Sequence, residues 1–262
     1  MDEQNEKLEA SDIVVQNKFT RWFENFWYHY KWHTIFISFF VFVFAVCFVQ
    51  CATTERSDAI VVYAGGYTLS ASEAEEIAKA MTGVMPANED GSGNSTGLNP
   101  FSIYTEKELT AMYRYTDEDT GEEKMDSYAY SSAKAVNQDH ISSFSDFLMT
   151  GTSSVWLVSE AVYDTAEDDL TREIEPDGLS LIQKERLVPL AELGVSADLA
   201  YDAYAVRLAD TAFYQYYEVM QLLPEDTLLV FSRSMVVGAV ADEEIYEMHR
   251  QLFLGIVNFQ PK

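Results

Sequence analysis

The sequence predicts an α/β domain carried behind one membrane-spanning helix. Three observations carry the prediction. Thr34 to Ala52 is an uncharged, almost wholly apolar run. Ala59 to Met81 reads as a buried strand, a glycine turn and a capped helix. Later in the chain, short β-branched runs alternate with helical patterns, the arrangement that builds a sheet covered by helices.

The membrane segment comes first. Its sequence TIFISFFVFVFAVCFVQCA holds 19 residues without a charge, and at ~1.5 Å per residue a helix of that length spans nearly 30 Å of hydrocarbon. Lys18, Arg21 and Lys31 precede it, and Arg56 is the only basic residue soon after. Positive residues stay inside, so the N-terminus is expected in the cytoplasm and the rest of the chain outside. Phe19–Trp32 is crowded with aromatic side chains and holds Arg21 and Lys31, which suits an interfacial helix leading into the membrane. The stretch before the apolar run is long for a cleaved signal peptide, so an uncleaved signal anchor is expected. The chain thus divides into a cytoplasmic and interfacial segment (1–33), a transmembrane helix (34–52) and an extracellular acidic α/β domain (53–262).

The outer part is long enough to bury a core without staples. Its two cysteines are in fact not its own: Cys47 and Cys51 both lie in the apolar run, so no disulfide is expected outside. Of the net charge of -26, all but about -2 falls beyond residue 52. A field of that sign repels nucleic acid and suits a solvated surface, a cationic ligand or a basic partner face.

Element by element, Ala59–Ala64 (AIVVYA) reads as a strand buried on both faces and ends in Gly65-Gly66. Ser70 with Glu73 forms a capping box, and Ala74, Ile77, Ala78 and Met81 follow helical spacing. Residues 86–100 read as a loop, 101–104 as a short strand, and 112–116 with 125–130 as a hairpin around the turn Asp117–Gly121. A helix over about 132–150 carries Ile141, Phe144, Phe147 and Leu148 on one face. Strands follow at 155–158, 204–208 and 227–231, with an acidic loop at 164–178 and a helix near 211–222. A helix over 243–259 closes the chain, with Ile245, Met248, Leu252 and Ile256 on one side.

Motifs with chemistry are scarce. The loops around Gly91 and Gly121 do not fit the ligand spacing of an EF-hand. There is no HExxH, no GxSxG elbow and no GxxxxGK phosphate loop; of the four histidines, His29 and His33 sit beside the membrane, and His140 and His249 have no partner at ligand spacing. No catalytic residue, metal ligand or cofactor is therefore assigned. The outer domain is rich in tyrosine, and Tyr67 and Trp156 stand out as ligand-binding candidates. Both are expected near the carboxyl ends of strands, where open α/β sheets bind ligands.

One resemblance adds to this. Phe144–Asp164 (FSDFLMTGTSSVWLVSEAVYD), the following LVPLAEL (Leu187–Leu193) and the opening AIVVYAGG resemble the extracellular solute-binding proteins of bacterial ABC importers. The run Tyr201–Phe231 is similar to that of membrane-anchored proteins of Firmicutes. The resemblance implies a periplasmic-binding-protein-like sheet with flanking helices, reduced in size, on a Gram-positive cell surface. It implies a non-enzymatic module that binds a small molecule or a surface protein. Two other roles stay open: a structural or assembly subunit of a surface complex, and a surface hydrolase using paired carboxylates.

Overall fold

The computed structural model describes residues 18–53, 57–86, 94–164 and 182–261, and the chain divides into two units between Glu55 and Arg56. In the first unit, α1 (Lys18–Thr53) is one continuous helix, so the expected interfacial and membrane segments are not separate elements. Its stretch Asn25–Val49 has a mean hydropathy of 2.3, and among the described residues α1 is the one helix long and apolar enough to cross a membrane. Ahead of the most apolar part, Trp22–Phe26, Phe23–Trp27 and Phe26–Tyr30 stack in i,i+4 pairs along the helix.

In chain order the second unit holds β1 (Ala59–Gly65), α2 (Ala71–Thr82), β2 (Thr96–Ser102), α3 (Glu106–Met112), β3 (Arg114–Thr116), β4 (Glu123–Met125), α4 (Ser127–Thr150), β5 (Val155–Ser159), α5 (Glu160–Asp164), α6 (Leu190–Leu193), β6 (Ala205–Arg207), α7 (Ala212–Tyr216), β7 (Thr227–Phe231) and α8 (Glu243–Val257). Five strands form one mixed sheet in the order β2-β1-β5-β7-β6. β1 runs parallel to β2 and β5, while β7 is antiparallel to β5 and β6. The fold is therefore α/β, as the alternation of patterns predicts.

The side chains of β1 explain the layering. Val61 and Tyr63 face one core with Ile77 and Met81 of α2 and Leu252, Phe253 and Ile256 of α8. Val62 and Ala64 face the other, with Ile141, Phe144 and Leu148 of α4. A strand apolar on both faces needs helices on both. Because α2 and α4 take opposite faces, β2 and β5 flank β1 on either side, and the winding reverses between β1 and β5. Their carboxyl ends come so close that a Cβ on Gly65 would stand 2.8 Å from the Tyr63 hydroxyl and 3.2 Å from Ser159 Cβ. A side chain at 65 would force Tyr63 or Ser159 to move.

Several boundaries differ from the expectations. β2 occupies part of the expected loop and includes Gly97 and Pro100. It is an edge strand, where a missing N–H is tolerated. Expected strand residues at Met112 belong to α3, whose capping box at Thr105 and Glu108 fixes its start. The expected strand 125–130 gives way to α4, which begins at Ser127 because Asp126 caps it by accepting the Ala129 N–H at 3.0 Å. The hairpin survives as the short, exposed pair β3–β4. The helix expected near 211–222 breaks into α7 and a 3₁₀ turn, Glu218–Leu222, with Tyr217 extended between them. Part of the 86–100 loop and most of the acidic loop at 164–178 lie outside the described residues.

Two polar devices tie distant parts of this unit. Asp202 accepts the Tyr163 hydroxyl at 2.9 Å, the N–H groups of Tyr204 and Ala205 at 2.8 and 3.0 Å, and the Lys184 ammonium at 3.2 Å. Burial alone would raise its carboxyl, but the bonds from Tyr204, Tyr163 and Lys184 outweigh that and hold it below the usual range. Burial, then the bond to Asp202, pushes the Tyr163 phenol well up. The second device is His249 of α8, 1% exposed, whose Nε2 accepts the Ile60 N–H at 3.1 Å across 189 residues of chain. Burial lowers its pKa to about 4.

Two outcomes are expected. Asp202→Ala leaves a buried hydroxyl and two backbone N–H groups without their acceptor, and should destabilise the domain by about 3 kcal/mol in urea unfolding. His249 stays neutral in the fold but takes up a proton near pH 6.5 when unfolded. Its contribution is therefore complete above pH 6.5 and declines as pH falls toward about 4. At ~1.4 kcal/mol per pH unit, wild type should lose about 3 kcal/mol more than His249→Gln over that window. Parallel pH profiles of the two would disprove the assignment.

Candidate functional site

A cleft of about 560 Å³ opens between α3 and α4 beside the carboxyl end of β2. The sequence builds it in steps. The Thr105 hydroxyl accepts the Glu108 N–H at 3.3 Å, and the Glu108 carboxylate accepts the Thr105 N–H at 2.7 Å, which starts α3 immediately after the loop leaving β2. Leu109 and Met112 of α3 form one wall. Ala129, Ala133 and Val136 of α4 form the other, three and four residues apart on one face, with two alanines leaving room between the helices. At the rim, the Tyr130 hydroxyl donates to Glu106, and Lys134 lies 3.6 Å from the same carboxylate.

The floor is polar and fixed. Asn137, 4% exposed, accepts the Tyr104 N–H at 2.8 Å and donates to the Tyr104 carbonyl at 2.9 Å. It thereby continues strand-like pairing past the end of β2. His140 Nδ1 lies 2.8 Å from the Ser102 carbonyl, an acceptor, so Nδ1 carries the proton. In the neutral ring Nε2 is then an acceptor, and His140 is one of the residues lining the mostly apolar cleft. The Tyr104 hydroxyl and Thr68 Oγ1 stand 2.9 Å apart beside it. Such a cavity, apolar with a few placed polar groups, is the usual form of a small-molecule site.

Thr68 joins this cleft to the reversal between β1 and β5. Tyr67 is half-buried there: its N–H donates to the Tyr63 hydroxyl at 3.3 Å, and its own hydroxyl donates to Glu73 at 3.3 Å. The Glu73 charge raises the Tyr67 phenol, while bonds from Ser70 lower the Glu73 carboxyl. A Cβ on Gly66 would stand 3.5 Å from Glu108 Oε1 and from the Tyr104 ring, so the glycine turn abuts the α3 wall. Farther along the same edge, burial raises the Asp226 carboxyl, and the charges of Glu108 and Glu160 raise it further against the opposing Arg207. Glu160 pairs with Arg207 at 3.2 Å, and Arg207 lies 5.0 Å over the Tyr201 ring. The carboxyl edge is thus negative and aromatic.

The two candidates named by the sequence do not meet. Tyr67 lies at the carboxyl edge as expected. Trp156 does not: it is the second residue of β5, at the amino end of that strand, 3% exposed, with Nε1 donating to the Ser153 carbonyl at 3.0 Å. The strand starts at Val155 as expected and runs on to Ser159, so Trp156 falls beside its first residue, at the opposite end of the sheet from Tyr67. Trp156 helps line a smaller hollow of about 310 Å³ with Arg186 and Arg233. The residues missed were Tyr104, Asn137 and His140. Their signal was the spacing Ala129, Ala133, Val136, His140 on one helix, preceded by a second capping box. Compared with protein-family models, with curated proteins and with solved structures, the chain finds no match in any of the three.

Proposed function

We propose that the chain is a membrane-anchored extracellular ligand-binding module without catalytic activity, its outer part a reduced periplasmic-binding-protein-like unit. The observation that carries this is the cleft between α3 and α4, with His140 among its lining residues and no charged side chain among them. Support for the fold comes from the reversal between β1 and β5, beside which the cleft opens. One sheet rather than two lobes places the site inside a single unit. The flanking charges of α1 support an outward-facing domain. The ligand is small and largely apolar, with an N–H or O–H group that the imidazole accepts. The negative edge disfavours anions.

The test is a thermal-shift screen of residues 57–262, whose two cores are self-contained, against sugars, amino acids, amines and calcium. A ligand at about 100 times its Kd should add ~2.7 kcal/mol of stability. Val136→Trp, at a half-exposed position on the wall, should leave the unliganded melting temperature nearly unchanged and abolish the shift. A flat screen on folded protein would turn the assignment to an assembly subunit.

Asp226 favours a second reading, a surface hydrolase with paired carboxylates, because three acids share its edge and its own carboxyl is raised. It ranks second because Glu108 is engaged in the α3 cap and Glu160 with Arg207. Under that reading, glycoside or ester turnover by the wild-type domain at mildly acidic pH should fall at least 100-fold in Asp226→Asn. Absence of wild-type turnover removes it.

A further inference from the structure

We propose that a hollow beyond the paired ends of β6 and β7 binds an organic cation carrying two ammonium groups on an alkyl chain. The hollow shares no lining residue with the cleft between α3 and α4, and the proposal does not depend on how that cleft is read.

β6 and β7 run antiparallel, with Arg207 opposite Leu228. Asp210 lies three residues after Arg207, and Glu225 three residues before Leu228. Between them the chain makes two 3₁₀ turns, Leu208–Asp210 and Glu218–Leu222, on either side of α7. This connection is fixed from within. Thr211 caps α7: its hydroxyl accepts the Tyr214 N–H at 3.2 Å and donates to the Leu208 carbonyl at 2.6 Å. The buried Tyr214 hydroxyl donates to the Leu223 carbonyl at 2.9 Å, which ties the two arms of the connection together. A hollow of about 660 Å³ opens between these arms, lined by Asp210 and Gln215 from the first and by Gln221 and Glu225 from the second.

The chemistry of the lining selects the ligand. The Gln215 and Gln221 amide nitrogens donate to the Ala209 and Gln215 carbonyls, both at 3.5 Å, so the amide oxygens are the groups left to accept. Neither carboxylate has an ion pair among the described residues, and no cationic side chain lines the hollow. The other charges of residues 205–227 are Arg207, Glu218 and Asp226, and Arg207 is held by Glu160 at 3.2 Å. From α2, which packs against the second turn, come Glu73, Glu75, Glu76 and Lys79, none of which lines the hollow. The surroundings therefore leave it negative. The Glu225 charge is felt at the wall, where it adds to burial in raising the Tyr214 phenol. Acceptors without donors call for a ligand rich in N–H groups and positive charge. Ala209, Leu222 and Pro224 complete the lining with carbon, which suits methylene groups between two charged ends. A hard metal ion would want six or more oxygens, and among the described residues no three of His, Cys, Asp or Glu stand together as ligands.

The experiment is isothermal titration of the full chain, in a non-ionic detergent and about 0.15 M salt, with 1,4-diaminobutane and with spermidine. Saturable binding at one site is expected. Asp210→Asn and Glu225→Gln, both at exposed positions, should each weaken it about fivefold. Glu218→Gln removes the same charge from an exposed position outside the hollow and should leave the affinity unchanged. Equal weakening by all three variants means diffuse attraction to an acidic surface and overturns the proposal, as does the absence of saturable heat from folded wild type. Loss of binding in Val136→Trp places the diamine in the cleft between α3 and α4; it overturns this site while supporting that one. Calcium that displaces the diamine from wild type assigns a metal site and also overturns the proposal.

Discussion

The burial of β1 on both faces is the constraint on which the second unit depends. A seven-residue strand with Val61 and Tyr63 in one core and Val62 and Ala64 in the other cannot lie on a solvated surface. It needs α2 and α8 on one side and α4 on the other. Once α2 and α4 take opposite faces, their strands must settle on opposite sides of β1, and a reversal beside Gly65 follows. The cleft, the negative edge and the half-buried Tyr67 all belong to the end of the sheet that this reversal exposes. The same strand receives the His249 imidazole at Ile60, so the last helix is keyed to the first strand by a polar bond inside an apolar core.

Much of this frame is legible in the sequence, for reasons that differ by element. AIVVYAGG announces β1 because continuous β-branched runs belong to strands covered on both faces, and the Ser70–Glu73 box announces α2. Thr227–Phe231 is legible in the same way. β2 is not, because Gly97, Asn99 and Pro100 oppose strand propensity and only its parallel pairing with β1 and its edge position permit it. The start of α4 hides behind tyrosines and serines that suit strand and helix alike, and the Asp126 cap decides between them. The candidate site is legible only in part. Tyr67 follows from a glycine turn after a strand, but a floor made by Asn137 and His140 bonding to the backbone of Tyr104 and Ser102 depends on α4 crossing the end of β2, and no local pattern reports that crossing.

The two ends of the sheet differ in chemistry as well as position. At the carboxyl end, Glu73, Glu108, Glu160 and Asp226 gather near tyrosine hydroxyls, and the one guanidinium close to Asp226, that of Arg207, is taken up by Glu160. At the amino end, exposed Val236, Val237 and Arg233 stand beside the exposed carboxylates of Glu185, Asp242, Glu243 and Glu244. Acidic residues stand at both edges, and what sets the ends apart is the tyrosine hydroxyls at one and the glycine-held, exposed Val236 at the other.

A site inside one lobe also limits how binding can be felt elsewhere. Under the proposed reading, no second lobe among the described residues closes over the cleft, so a response comes from its walls, and those walls are unequal. α4 is a long helix anchored in the core by Ile141, Phe144 and Leu148, while α3 is seven residues held by its capping box, by Leu109 and by the contacts of Glu106 with Tyr130 and Lys134. Short helices with few buried contacts are the elements that move at small free-energy cost. A ligand that fills the space between Met112 and Val136 would therefore act first on α3, and through it on the exposed β3–β4 hairpin that follows directly. That hairpin lies beyond the carboxyl edge's acidic groups and shares no strand with the main sheet. It is the part of the unit whose position the occupancy of the cleft can alter without disturbing either core.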